Sequence, residues 1–412
     1  MQKIRLIIFL TIFSQNLFAQ DYPYTEYPYY HYIRYDKNKI YFPGDSLAFD
    51  NFNNKLDTLI LKGEGKINIV HFGGSHIQAG IYSGVARKKL QNFFPGLNGG
   101  RGMIFPYGMS KTYTPKNFRI KWTGNWETCR NVEHKNCELG MLGIEATTHD
   151  SIATITVILN PKYQKYETDI IKIFHDTGKN SYKIKLSADS TTYDLTEFPE
   201  DGYTLIKTND FVSNIKLELV KTDTVQNRFT LYGIDLENSF SGIVYTDAGI
   251  SGASLPSFLK CNLLEKQMSV VKPDLVIISL GTNDTYGKSF SPERFKLHYI
   301  NFLNKIKKAN PGVAIIMTVP NDCYYRRRDP LPFTKDAEKV IFELAKEYNC
   351  GVWDLYAVMG GYNSSYLWHK DKLMQNDLIH FTKKGYIIKG NLFFNALIKI
   401  YDNHLSENIL NF

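Results

Sequence analysis

Four short runs constrain this chain more than anything else in it: INIVHF (67–72), DLVIISL (274–280), VAIIMTV (313–319) and GVWDLY (351–356). Each is apolar, rich in β-branched residues and shorter than an ordinary helix, the pattern of a strand buried on both faces. Between or after them lie stretches of helical periodicity at 78–93, 255–271, 291–309, 335–348 and 383–400. Strands alternating with helices imply a parallel sheet covered by helices on both sides. Such sheets take their ligands at the carboxyl ends of the strands, so the residues that follow each run are the ones to inspect for chemistry.

Residues 144–237 break the alternation. SIATITVIL, DIIKIFH, SYKIKLSA, GYTLIKT, NIKLELVK and RFTLYGIDL are strand-like segments with turn residues between them. They predict an all-β unit, a sandwich or jelly roll, inserted into the α/β domain because α/β pattern lies on either side. The expected layout is a signal peptide at 1–19, an arm and helix at 20–65, an α/β domain at 66–143 and 238–412, and the β-module at 144–237. The unit is read either as a carbohydrate-positioning module or as a structural prop, between which fold alone does not choose.

The first twenty residues, MQKIRLIIFLTIFSQNLFAQ, have the basic start, short apolar centre and small-residue cleavage site of a secretory signal. No later stretch approaches the roughly 20 apolar residues of a membrane span. The expected location is therefore periplasmic or secreted, with no integral span after cleavage. The formal charge is +8 for the whole chain, a modest excess that resembles no nucleic-acid footprint. Five cysteines are too few for a disulfide scaffold. Cys129 and Cys137 lie close enough in sequence to pair in an oxidising compartment or to stay free, while Cys261 falls at an apolar helical position. No CxxC or His-rich metal pattern occurs, and no cofactor is implied. The tyrosine-rich stretch from 21 to 45 reads as an arm on the surface or as an aromatic sugar platform. Ser46, within Gly44-Asp45-Ser46, precedes an amphipathic pattern and reads as a helix N-cap.

Four segments carry chemistry. Gly73-Gly74-Ser75-His76 directly follows INIVHF and opens a helix, a sharp turn that would present the Ser75 hydroxyl at the sheet's carboxyl end. SGIVYTDAGISGAS (241–254) offers Gly249 or Gly252 as a backbone N–H donor where a side chain would obstruct approach. LGTNDTYG (280–287) places Asn283 after a buried strand, as a neutral amide donor or as the head of an Asx-turn. NDLIHFTKKGY (376–386) sets Asp377 and His380 three residues apart, before a helix that Thr382 can cap.

In this order the segments resemble the SGNH (GDSL-type) hydrolases, over roughly 66–110 and 240–400. The resemblance implies a flavodoxin-like three-layer α/β/α domain. It also implies Ser75 as nucleophile, His380 as base and Asp377 as its orienting acid, with an oxyanion hole from Ser75, Gly252 and Asn283. Closer matching, through HFGGSHIQAG, GGRGMIFPYG, Thr114-Pro115, Trp126 and the position of the β-insertion, is similar to a branch containing exported bacterial peptidoglycan O-acetylesterases. That implies an acetylated glycan or small acyl ester as substrate, with His76 contacting substrate and Arg101 either at the pocket rim against a glycan carboxylate or in a structural salt bridge. The alternatives are acetyl transfer through the same triad and a glycan-binding protein with a degenerate site. Arg326-Arg327-Arg328 is a further basic run that either meets an anionic polymer or is solvated. One departure stands out: where the family has aspartate before the serine, a residue that braces the turns, this chain has Gly74.

Overall fold

The computed structural model describes residues 23–24, 27–187 and 191–410. The signal segment lies outside them. Five strands form the parallel core: β1 (Lys66–Gly73), β2 (Gly242–Gly249), β3 (Leu275–Ser279), β4 (Ala314–Thr318) and β5 (Gly351–Trp353). Their order is β5-β4-β3-β1-β2, all neighbours parallel. This is the flavodoxin-like order, with its switch point at β1.

The sequence runs work because alternate side chains enter opposite cores. Ile67 and Ile69 of β1, Leu275 and Ile277 of β3, and Ala314 and Ile316 of β4 join one cluster with the helices Tyr82–Leu90 and Lys383–Leu410. Val70, Phe72, Val276, Ile278, Ile315 and Met317 join the other, with Pro292–Ala309 and Thr334–Tyr348. Three layers result. The helix Leu47–Lys62 starts where expected, with Ser46 as its N-cap residue, but the Ser46 side chain makes no capping bond and Asp45 accepts the Leu47 N–H instead. Tyr32 of the tyrosine-rich arm is buried, with its hydroxyl donating to Asp371.

Beyond β2 the sheet does not stop. Asn98–Ile104 pairs with it, then Phe229–Glu237, Thr168–His175, Tyr203–Val212 and Tyr193–Phe198 continue antiparallel. A second sheet, Phe118–Thr123, Thr154–Leu159, Asn214–Val220 and Lys183–Ser187, supplies the other β layer. The β-module thus grows from the edge of the α/β sheet, and recruits strands 118–123 and 127–130 from the preceding segment. Cys129 and Cys137 are joined in a disulfide, and Cys261 is buried in the core.

Candidate active site

β1 ends at Gly73 and the helix Ser75–Gln78 begins after a single intervening residue, Gly74. So abrupt a turn requires glycine: a β-carbon on Gly73 would lie 2.3 Å from Cγ1 of Ile77. The turn leaves Ser75 partly exposed above the sheet, and its Oγ lies 2.8 Å from Nε2 of His380. The other ring nitrogen, Nδ1, lies 2.8 Å from Oδ2 of Asp377. Oδ1 of the same carboxylate accepts the backbone N–H groups of Ile379 and His380, both at 2.9 Å. Between them and the carboxylate, Leu378 takes φ 57°, a strained left-handed conformation that curls the chain around Asp377. Burial alone would raise the pKa of Asp377. The His380 ring and the two N–H donors override it and hold the carboxyl below its ordinary range. A carboxylate fixed in this way keeps the proton of His380 on Nδ1 and leaves Nε2 free to accept from Ser75.

Asn283 and the 249–254 turn stand against the Gly73-Gly74 turn that precedes Ser75. Asn283 is exposed and spends one amide hydrogen on the carbonyl of Ala253 at 2.8 Å, which fixes the plane of the amide. The two candidate glycines separate clearly. A β-carbon on Gly249 would strike the Gln78 backbone nitrogen at 2.4 Å, so that glycine serves close packing of β2 on the helix. Gly252 instead sits exposed in the turn at φ +85°, where a β-carbon would meet nothing nearer than Cγ1 of Val132 at 3.9 Å.

Two sequence expectations need correction. Of the two readings of Arg101 the salt bridge holds and the pocket rim does not: it is 1% exposed and its guanidinium reaches Oδ2 of Asp247 at 3.3 Å, beside Arg87 at 2.6 Å. Its strand, Asn98–Ile104, points it into the core, where burial and the neighbouring Arg87 push it down to about 10. His76 does not face substrate either. It is buried with Nδ1 2.9 Å from the Tyr386 hydroxyl and its ring 5.2 Å from that of His380, so it packs beneath the triad. Burial drives His76 far below its ordinary value, and the ring stays neutral.

Two groups went unnoticed in the sequence. Gln78, one turn after Ser75, accepts from the Ser251 N–H at 2.5 Å and donates to Thr112 Oγ1 and the Tyr113 carbonyl at 3.1 and 2.7 Å. It ties three segments around the nucleophile, and nothing but its place on the first helical turn could have indicated it. Lys389 is buried below the site, its ammonium 4.4 Å from the Tyr82 ring centroid, and burial pushes it down to about 7. Its place on the inward face of the last helix was the available signal.

Residues 222–388 match the model of the GDSL-like Lipase/Acylhydrolase family; Gly252, Asn283, Asp377 and His380 lie inside this segment and Ser75 before it. No curated protein matches the chain. Among solved structures, a peptidoglycan O-acetylesterase superposes with a TM-score of 0.73 at 18% identity, covering 88% of this chain and 99% of that one, and so shares its fold. A lipase/acylhydrolase from Enterococcus faecalis is 26% identical over 39% of this chain and 76% of its own, with a TM-score of 0.31. A family two carbohydrate esterase from Cellvibrio japonicus is 10% identical over 69% and 99%, with a TM-score of 0.29. The last two superpose too loosely to inform the site. The flavodoxin-like sheet and the matched segment agree: residues 222–388 are similar to the GDSL-like Lipase/Acylhydrolase family, within a fold shared with a peptidoglycan O-acetylesterase.

Proposed function

We propose that this protein is an exported serine esterase that removes O-acetyl groups from a glycan through an acyl-serine intermediate. The observation that carries the reading is the unbroken hydrogen-bonded line from Ser75 Oγ through His380 to Asp377, both links at 2.8 Å. In the proposed reaction His380 Nε2 takes the Ser75 proton as Oγ attacks the acetyl carbonyl. Negative charge develops on the carbonyl oxygen, where the N–H groups of Ser75 and Gly252 and the second amide hydrogen of Asn283 receive it. His380 then protonates the departing sugar hydroxyl, and water, activated by the same imidazole, releases acetate and regenerates the serine. Export rests on the signal-like first twenty residues. A glycan is favoured as substrate by the resemblance of the sequence blocks and by the fold shared with a peptidoglycan O-acetylesterase.

The test is acetate release from a panel of acetylated glycans, with fluorophosphonate labelling in parallel. The wild type should release acetate and become labelled, and Ser75→Ala should do neither. Full turnover by Ser75→Ala would eliminate the mechanism, and acetyl-sugar in place of free acetate would make the protein a transferase.

A further inference from the structure

A cavity of about 360 Å³ lies next along the chain from both Ser75 and His380, within the range of small-ligand sites. Its walls come from residues 79–88, which follow the nucleophile, from 383–387, which follow the histidine, and from loops 113–117 and 162–166 of the β side. Gln78 joins the first of these walls to the third through the Tyr113 carbonyl.

The charge of this lining is one-sided. Lys88, Lys116, Lys162 and Lys383 all line it and are exposed, and no Asp or Glu does. None of the four ammonium groups has a carboxylate partner among the described residues. Lys383 is also placed against its local preference. It stands in the first turn of Lys383–Leu410, a turn without acidic residues, where the helix dipole disfavours a cation. A charge kept where it does not help the helix points to a ligand. Tyr113 and Tyr163 present rings 45% and 41% exposed, each an apolar face with a polar tip, suited to the flat side of a sugar. Asn117 also lines the cavity, is only 6% exposed, and neither end of its amide has a hydrogen-bond partner among the described residues. An unpaired buried amide is costly, and a ligand's oxygen or hydroxyl would satisfy it.

We infer that this cavity is a subsite for an anionic, carboxylate-bearing sugar of the glycan whose acetyl ester reacts at Ser75. The inference rests on the esterase reading above and narrows it, since a neutral glycan would leave all four cations without a partner. The β-module then shares directly in substrate binding, because residues 162–166 form one wall.

The variant Lys88→Gln/Lys116→Gln/Lys162→Gln/Lys383→Gln tests this. The quantity read is the ratio of kcat/KM on an acetylated carboxylate polymer to kcat/KM on neutral acetylated xylan. Acetylated peptidoglycan strands freed of their stem peptides, which leaves the lactyl group as a carboxylate, and acetylated polygalacturonate serve as separate carboxylate arms, so that a lactyl ether and a uronate are distinguished. The ratio should fall by about tenfold, the scale of several exposed ion pairs removed together. For the wild type it should also fall between about 50 and 500 mM salt, and for the variant it should not. A ratio that is the same in wild type and variant, or indifferent to salt in the wild type, overturns the inference. If the fourfold variant does not fold, Lys116→Gln/Lys383→Gln carries the same comparison. Gel retardation by deacetylated polygalacturonate reads the cavity without the triad, so the subsite and the esterase reading fail separately.

Discussion

Adding one methyl group at Gly74 should slow acyl transfer without unfolding the protein. The backbone at Gly74 has φ −92°, open to any residue, so the cost is steric. A β-carbon there would stand 3.0 Å from Nδ2 of Asn283 and 3.3 Å from the Ala253 carbonyl oxygen. Carbon and nitrogen rest comfortably at about 3.5 Å, so the amide must retreat by roughly 0.5 Å. A donor acting on an oxyanion works at about 2.7–3.1 Å, and its complete loss costs about 2.7–4 kcal/mol. A half-ångström retreat forfeits roughly a third of that, about 1 kcal/mol, or about fivefold in kcat. KM on a small ester should change little, because the contact strengthens only in the transition state. The assay is steady-state hydrolysis of p-nitrophenyl acetate by wild type, Gly74→Ala, Asn283→Ala and the double variant. Asn283→Ala should lose about 10²–10³ in kcat. In that background Gly74→Ala should cost less than about twofold, because no amide remains to be displaced. Additive losses would refute the reasoning and place the effect of the methyl group on the Ser75 turn itself.

Other changes have equally direct readouts. Asp247→Asn leaves Arg87 and Arg101 buried without a counter-charge, and should cost about 3–5 kcal/mol in urea unfolding. Arg101→Met should be near neutral, because two of the three guanidinium nitrogens lack partners already and a hydrophobe removes the cost of burying them. The 129–137 disulfide closes a short loop whose Val132 lies 3.9 Å from where a Gly252 β-carbon would be. Cys129→Ser/Cys137→Ser should lose about 2.5 kcal/mol of stability by loop-closure entropy, measured by urea unfolding, with a fall in kcat as the Gly252 turn loosens. Lys389, lowered to about 7 in the folded state, binds a proton more readily when unfolded. Its contribution to stability therefore rises with pH from about 7 to about 10, at up to about 1.4 kcal/mol per pH unit. Lys389→Met should be more stable than wild type at pH 7, and the gap should narrow by pH 10; a gap independent of pH would refute the assignment.

The parallel core was legible because burial on both faces writes itself into short runs such as DLVIISL, and Ser75 and Asn283 because each directly follows such a run. Pairing partners were not legible. The sheet passes from the α/β core into the β-module through Asn98–Ile104, a strand with three glycines that carries no apolar signature. Arg101 stayed open between rim and salt bridge for the same reason: a charged residue among glycines resembles a surface loop, and only the depth of Asp247 on β2 reveals why it is buried. His76 was misread because its neighbour in sequence is the nucleophile. A helix turns successive side chains about 100° apart, and that rotation sends His76 into the core while Ser75 faces out.

Gly74 looks like a loss when set against the aspartate of the family's pattern, but the surrounding geometry gives it a reason. The space a side chain would occupy at 74 is taken by the Asn283 amide, which bonds Ala253 across it. The connection between the nucleophile's turn and the glycine turn runs instead through Gln78, whose oxygen holds the Ser251 N–H. Gln78 also reaches the 112–113 loop, which a short carboxylate at 74, pointed at Asn283, is not placed to do. Tyr113 of that loop lines the cationic cavity. A brace moved one helical turn along the chain therefore holds the oxyanion side and the proposed sugar subsite with the same side chain, which couples the geometry of the reacting centre to the wall that would bind the glycan.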